Sequence, residues 1–278
     1  MQRKKSKGAF LTILFSVISV LYVLPIVIII INSVKKKAYI SRAPFKIPTG
    51  RMFVGLQNYK VGIERTDFFS SFFWSVFITV GSVAAIILFT SMCAWYITRS
   101  NSRFCRVLYL LFVFSMIVPF QMVMFTLSKV ADTLRLNTPW GIIIIYLGFG
   151  AGLAVFMFSG FVKAVPVEIE EAALIDGCSP LKTFFSVVLP ILKPTCISVA
   201  ILETMWIFND YLLPYLVLDI RNYKTIPIAV QYLRGGYGSV DMGAMMAMLV
   251  LSVVPVIIFY LSLQKYIVKG VVAGAVKG

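Results

Sequence analysis

Residues 163–194 read KAVPVEIEEAALIDGCSPLKTFFSVVLPILKP, in a chain that is otherwise mainly apolar. Four acidic side chains fall within nine residues of this stretch: Glu168, Glu170, Glu171 and Asp176. Each would cost about 2.5–3.5 kcal/mol at the centre of a bilayer. The segment therefore has to lie outside the lipid.

Local signals in this stretch predict two short helices joined by a corner. Pro166 suits the first position of a helix, and the glutamates after it complement the positive end of the helix dipole. Gly177 suits the left-handed residue that ends a helix, and Ser179 followed by Pro180 suits the start of the next one. The second helix carries an apolar stripe, which consists of Phe184, Phe185, Val188 and Leu189. Residues 163–194 are therefore predicted to form a helical hairpin, called the hairpin below.

The remainder of the chain has the composition of a membrane protein. Of the 278 residues, 60% are hydrophobic and 13% are charged, whereas soluble domains carry about 25% charged residues. Six stretches are long and apolar enough to cross a hydrocarbon core of about 30 Å as helices. They are residues 10–33, 74–98, 107–127, 141–162, 195–218 and 242–264. The predicted fold class is therefore an all-α integral membrane protein with six transmembrane helices, in a single domain of residues 1–278.

The composition also excludes several classes of function. The chain has no His, which excludes Ser/His/Asp triads and His-ligated metal sites. The Walker A spacing Gly-x4-Gly-Lys-Ser/Thr does not occur, so the chain cannot hydrolyse ATP alone. The net charge of +15 comes from basic residues placed between apolar runs rather than in a nucleic-acid-binding patch. We expect no catalytic residue, metal ligand or cofactor in this chain.

The hairpin contains a spaced motif. Glu171-Ala172-Ala173 is followed by Gly177 and then by Val187, Leu189 and Pro190. At these spacings the segment resembles the cytoplasmic loop of the inner-membrane permease subunits of ABC importers, with Val187 in place of Ile as the departure. The resemblance implies a type I ABC importer permease fold with a cytoplasmic coupling-helix hairpin, in the bacterial inner membrane with both termini in the cytoplasm. Lys and Arg are divided evenly between the two sides, so charge counting alone leaves the orientation open.

The resemblance extends from about residue 70 to the end of the chain, and it is to the carbohydrate branch of these permeases, the maltose-type second permease in particular. It is carried by the stretches MIVPF (116–120), WIFNDYLLP (206–214) and the tail (264–278). It implies a subunit of a binding-protein-dependent oligosaccharide importer that works by alternating access. The implied partners are a second homologous permease, two ATPase subunits that bind ATP and Mg, an extracytoplasmic sugar-binding protein and membrane lipid.

The resemblance also assigns contact residues. Contact with the ATPase is expected from Glu171, Ala172, Ala173, Asp176, Gly177, Ser179, Phe184, Phe185, Leu189 and Pro190. Contact with the binding protein is expected from Tyr232, Arg234, Gly235, Gly236 and Tyr237. The tail residues Gly274, Lys277 and Gly278 are expected to reach the ATPase interface.

The fifth apolar stretch contains four polar or aromatic residues at helical spacing: Glu203, Trp206, Asn209 and Asp210. Glu203, Trp206 and one of the other two share a face of a helix. Sugar hydroxyls need hydrogen-bond partners and an aromatic ring can stack on a pyranose, so the face is a candidate translocation path. It fits a satisfied contact with a neighbouring helix or subunit equally well.

Two other functions remain open at this point. The chain can be a permease of the same architecture for a non-sugar solute. It can also be a secondary transporter coupled to protons through Glu203 and Asp210, although six spans without inverted repeats argue against that class.

Overall fold

The computed structural model describes residues 2–233 and 240–275, with side chains for residues 11–233 and 240–264. This part of the chain is mainly helical and contains no β-strand. Its α-helices are α1 (Gln2–Ser33), α2 (Lys37–Arg42), α3 (Gln57–Thr66), α4 (Phe68–Arg99), α5 (Arg103–Ser115), α6 (Phe120–Thr133), α7 (Pro139–Val162), α8 (Val167–Ile175), α9 (Pro180–Thr183), α10 (Leu189–Ile191), α11 (Lys193–Asn209), α12 (Leu212–Val217), α13 (Ile226–Gln231) and α14 (Met242–Ala275). A 3-10 turn (Gly50–Met52) follows α2, and a π-helical turn (Phe184–Val188) joins α9 to α10.

Four helical segments in the described residues are long and apolar enough to cross a membrane. They are Leu11–Ser33, Phe68–Arg99, Pro139–Val162 and Met242–Gln264. Two bent helix pairs raise the number to six if each pair counts as one span. The four straight segments overlap the predicted spans at 10–33, 74–98, 141–162 and 242–264.

The third predicted span, residues 107–127, differs from the structure, which divides it. Helix α5 ends at Ser115 and α6 begins at Phe120, with an angle of 104° between them. Pro119 immediately before α6 has an extended backbone (ψ 136°) and no N–H group, so it cannot continue the preceding helix.

The fifth predicted span, residues 195–218, is also divided. Helix α11 ends at Asn209, Asp210 is extended (ψ 126°), and α12 begins at Leu212. A second bend in this region lies before α11, where the segment Pro180–Ile191 meets it at 75°.

The chain divides into two compact units, of which the first comprises Met1–Phe69 and Ala229–Pro255. Within it, the most apolar part of α1 is not buried at all, as expected for a helix that faces lipid. The chain after α1 is held by Asn58, whose Nδ2 donates hydrogen bonds to the carbonyls of Ser33 and Lys35, both at 2.8 Å. The bond to Ser33 occupies a carbonyl group that the end of α1 leaves free.

The second unit comprises Ser70–Ile228 and Val256–Gly278. Its core includes the fully buried side chains of Ile86, Ile142, Tyr146, Phe158, Phe184 and Leu192. A Cβ atom at Gly152 of α7 would lie 2.9 Å from the carbonyl oxygen of Phe112, so only glycine allows α5 to pack this closely on α7. The unit thus packs the hairpin and the long helices α4 and α7 around one apolar core.

Candidate functional site

The hairpin has the corner that its local sequence predicts. Helix α8 begins at Val167, one residue later than predicted, because Pro166 occupies the cap position with an extended backbone. Gly177 follows α8 with φ +81°, the left-handed conformation that favours glycine. The Oγ atom of Ser179 accepts a hydrogen bond of 3.3 Å from the amide of Lys182 and so caps the next helix.

An ion pair ties the hairpin to α4. Nη2 of Arg99, the last residue of α4, lies 2.7 Å from Oε1 of Glu170, and Nε of Arg99 lies 3.0 Å from the same oxygen. Nη2 also donates to the carbonyl of Val165 at 2.9 Å, and Nε1 of Trp95 donates to Oε2 of Glu170 at 2.9 Å. Both carboxylate oxygens of the buried Glu170 are therefore satisfied by donors on α4.

An aromatic contact strengthens the same junction. Phe184 is fully buried, and its ring centroid lies 5.6 Å from that of Trp95. The expectation that Phe184 contacts the ATPase therefore differs from the structure, in which its side chain belongs to the unit's own core. Ala173 is also buried, with 8% of its surface exposed, whereas Ala172 beside it is exposed.

The rest of the predicted contact set lies on the outside of the hairpin. Glu171, Ala172, Asp176, Gly177, Ser179, Phe185 and Pro190 are exposed, and Leu189 is half-buried. Three further apolar residues of the hairpin are exposed, although the sequence pattern does not indicate them: Leu174, Ile175 and Leu181. Ile175 is 85% exposed. We call the surface formed by Glu171, Leu174, Ile175, Leu181 and Phe185 the corner face.

The corner face has the chemistry of a protein contact. It combines large exposed apolar side chains with one carboxylate, and a group of exposed apolar side chains of this kind is typical of an interaction site. Because the buried side of the hairpin is fixed to α4 by Arg99 and Glu170, a force applied to the corner face acts on α4 as well.

The candidate translocation residues lie mainly against α7. Glu203 is 2% exposed, and a Cβ atom added at Gly150 would lie 3.1 Å from Glu203 Oε2. The ring of Trp206 meets the ring of Tyr146 edge-on, with 5.5 Å between centroids. Asn209 is exposed and donates from Nδ2 to the carbonyl of Met205 at 2.7 Å, within its own helix.

Asp210 has a structural role at the break between α11 and α12. Its Oδ2 accepts a hydrogen bond of 3.0 Å from the hydroxyl of Tyr146. Its Oδ1 accepts from the amides of Leu212 at 3.0 Å and Leu213 at 3.4 Å, which caps α12. Asp210 therefore makes the contact with a neighbouring helix that the sequence offers as the alternative to a translocation role. Oε2 of Glu203, by contrast, has no hydrogen-bond partner among the described residues.

The structure adds residues that the sequence pattern does not indicate. Arg99 and Trp95 hold Glu170, and Tyr146 holds Asp210. Glu170 is visible in the sequence as one of the acidic cluster, and Arg99 as a basic residue at the end of an apolar run. Nothing in the sequence pairs residues that lie 71 positions apart.

The remaining predicted contact residues are described only in part. Tyr232 is 51% exposed. Arg234, Gly235, Gly236 and Tyr237 lie outside the described residues. Gly274 is part of α14, whereas Lys277 and Gly278 lie outside the described residues.

Comparison with known proteins identifies the family. Residues 86–273 match the family model described as "Binding-protein-dependent transport system inner membrane component". The chain is 37% identical over 267 residues to the probable starch degradation products transport system permease protein of Thermoanaerobacterium thermosulfurigenes, with 96% of both chains covered. It is 33% identical to the multiple sugar-binding transport system permease protein of Streptococcus mutans, with 95% of both chains covered. It is 31% identical to the melibiose/raffinose/stachyose import permease protein of Bacillus subtilis, with 96% of both chains covered.

The fold is also that of a solved importer. The structure matches a chain of a bacterial ABC transporter involved in the import of the acidic polysaccharide alginate with a TM-score of 0.80 and 19% sequence identity. The match covers 96% of this chain and 98% of that chain. The predicted all-α type I importer permease fold is therefore confirmed, and the chain is a multi-pass membrane protein. It belongs to the family of binding-protein-dependent transport system inner membrane components.

Proposed function

We propose that the chain is the permease subunit of an ATP-driven importer of oligosaccharides. Family membership supports a transport subunit that works with a partner permease, an ATPase and a binding protein. The substrate class is supported by the relatives, whose names specify starch degradation products, multiple sugars and raffinose-type sugars. In this proposal the chain hydrolyses no ATP itself, and ATP and Mg bind to the partner ATPase subunits.

The proposed mechanism rests on the exposure of the corner face of the hairpin. Glu171 and the apolar side chains around it, Ile175 above all, form an exposed surface that would dock in a cleft of the ATPase subunit. Closure of the ATPase pair would push this surface. The bonds between Glu170 and Arg99 would pass the displacement to α4, so that the helices move from inward-open to outward-open.

The proposed orientation follows from this role. A hairpin that docks on an ATPase lies in the cytoplasm, which places both termini there as well and makes the membrane the bacterial cytoplasmic membrane. Residues 232–237 would then lie on the outer side, where a sugar-binding protein delivers its ligand.

Copurification followed by uptake tests the proposal. A tagged chain extracted from native membranes in mild detergent should bring an ATPase and a second permease in comparable amounts. Cells that express the complex should then take up labelled oligosaccharide, and uptake should survive a proton uncoupler at constant ATP. Recovery of this chain alone after cross-linking in intact membranes, together with loss of uptake on uncoupling, would show a proton-coupled transporter instead.

A competition experiment tests the substrate class separately. In the same uptake assay, unlabelled oligosaccharides should compete with the labelled one, and a polyamine or inorganic ion should not. Competition by the ion or polyamine alone would keep the importer architecture and reject the sugar assignment.

A further inference from the structure

A cavity in the second unit lies where the end of α4, the start of α5 and the end of α7 meet. Its volume is about 160 Å³, far more than one water molecule needs. We call it the helix-end pocket, and its polar lining includes Thr98, Ser102, Arg106, Tyr109, Ser159 and Lys163. The corner face and the polar residues of α11 do not line it.

Two hydroxyl groups in the pocket lack a partner. Ser159 is 1% exposed, and its Oγ has no hydrogen bond among the described residues. The Oγ1 atom of Thr98 is buried and lacks a partner in the same way. Because buried hydroxyl groups in folded proteins are nearly always hydrogen-bonded, the two groups indicate an occupant that supplies acceptors.

The charges around the pocket are positive. Arg106 and Lys163 form no ion pair within residues 11–233 and 240–264, whereas Arg99 nearby is paired with Glu170. The lining contains no acidic residue. Nζ of Lys163 lies 5.4 Å from the ring centroid of Tyr109, which holds the ammonium group beside the cavity.

The start of α5 adds to the same field. This helix has 13 residues, and Ser102 caps it by accepting a hydrogen bond of 3.1 Å from the amide of Phe104. Its positive dipole end lies at the pocket, where it favours an anion. Hydroxyl groups, two cations and a helix N-terminus together supply several hydrogen-bond donors, and no carboxylate lines the pocket.

We propose that the helix-end pocket binds a phosphate group. A tetrahedral oxyanion supplies the acceptors that Ser159 and Thr98 lack and the charge that Arg106 and Lys163 lack. The inference is independent of the proposed function, because it rests on the pocket alone.

Two sources share this chemistry, an anionic phospholipid headgroup and free phosphate. The surface of α5 next to Arg106 favours the lipid, because Phe104, Val107 and Leu111 are more than half exposed and offer an apolar track for acyl chains.

Two binding measurements separate these sources. The full-length chain, with any subunits that copurify, is placed in phosphatidylcholine nanodiscs. One sample contains a small fraction of phosphatidylglycerol with a photoreactive acyl chain, and mass spectrometry locates the adducts. The other contains phosphatidylcholine alone, and equilibrium dialysis measures binding of radiolabelled inorganic phosphate at constant ionic strength.

The variants are Lys163→Gln, Arg106→Gln and Ser159→Ala. Arg103→Gln is the matched control, because Arg103 is an exposed basic residue one turn before Arg106 on α5 and does not line the pocket. Each lost charge should weaken binding about tenfold. Lys163→Arg keeps the positive charge and should bind as well as the unsubstituted chain. This result would exclude a merely structural effect of Lys163→Gln.

The outcomes are distinct. Adducts on α5 or α7 that fall in the pocket variants and persist in Arg103→Gln establish a lipid headgroup site. Saturable phosphate binding with the same pattern establishes a site for soluble phosphate. Absence of both signals, or equal losses in Arg103→Gln and Lys163→Gln, overturns the proposal. Size-exclusion profiles identical to the unsubstituted chain show that the variants are folded.

Discussion

Arg99 and Glu170 form a bidentate ion pair, with 2.7 Å between Nη2 and Oε1, that joins the last residue of α4 to the hairpin. Glu170 has only 8% of its side chain exposed and Arg99 20%, so water screens the pair weakly. The next residue, Glu171, is exposed. Two adjacent glutamates therefore have different tasks: one fixes the hairpin to the helix bundle, and the other is available to a partner.

The ion pair predicts a measurable coupling energy. We expect Arg99→Ala and Glu170→Ala each to lower the thermal stability of the detergent-solubilised protein, because each leaves a largely buried charge without its partner. In a double-mutant cycle the coupling should be about 1–3 kcal/mol. Additive effects within 0.5 kcal/mol, a threshold of about the usual error of such cycles, would show that the two residues act independently.

The exposed glutamate predicts a loss of function without a loss of fold. Glu171→Arg reverses the charge on the corner face and should lower transport at least about tenfold, a change equivalent to about 1.4 kcal/mol. Glu168→Arg is the matched control, because Glu168 is exposed one turn earlier on the same helix. Uptake, ATP hydrolysis and copurification of the ATPase are measured together. Equal uptake by the two variants at normal protein levels would contradict docking through the corner face.

The two neighbouring phenylalanines of the hairpin predict opposite effects. Phe184 is fully buried beside Trp95, so Phe184→Ala leaves a cavity and should cost about 3–5 kcal/mol. Phe185 is 48% exposed, so Phe185→Ala should change thermal stability little and reduce ATPase copurification instead. Thermal unfolding and copurification of the same two variants test both statements. The assignment is wrong if Phe185→Ala is the more destabilising change.

The local features of the hairpin follow from the sequence, whereas its attachments do not. Gly177 and Ser179 act within a few residues of their positions, so residue type and spacing were enough to predict the corner. The burial of Phe184 and the pairing of Arg99 with Glu170 depend on how distant segments pack. A stripe of apolar residues on a short helix shows only that one side is apolar, and does not say whether it faces a partner or the chain's own core.

The two divided spans also depend on packing that the local sequence does not reveal. Hydropathy treats residues 107–127 as one apolar run, but the geometry at Pro119 turns the chain by 104° between α5 and α6. The proline marks a place where a helix can bend, and packing decides how far it does. At Asp210 the helix end is fixed by the hydroxyl of Tyr146, 64 positions earlier in the chain.

Substitution of Glu203 tests whether uptake is driven by ATP or by protons. Its carboxyl group is buried against Gly150 and has no counter-charge in the described residues. Glu203→Gln keeps the shape and removes the titratable group, so uptake should persist with the same resistance to a proton uncoupler at constant ATP. Glu203→Lys, which places an ammonium group in the same space, should reduce the amount of folded protein. Loss of uptake in Glu203→Gln at normal folded levels would show that transport needs the carboxyl group itself, either for proton coupling or in the translocation path.

The geometry of the hairpin corner depends on one residue. Gly177 has φ +81°, a conformation that costs an L-residue about 1–2 kcal/mol. Proline cannot adopt it, because its ring fixes φ near −65°. Gly177→Ala should therefore weaken transport, and Gly177→Pro should abolish it while ATP hydrolysis by the complex continues.

The control for this experiment is Gly160→Ala. Gly160 lies within α7, and a Cβ atom there would meet nothing within 4 Å, so alanine fits and should leave uptake unchanged. A Gly177→Pro variant that assembles and transports normally would show that the corner geometry is not needed to pass motion from the ATPase to the helices. Loss of both uptake and assembly would assign the corner to folding, and only loss of uptake with assembly retained supports the coupling role.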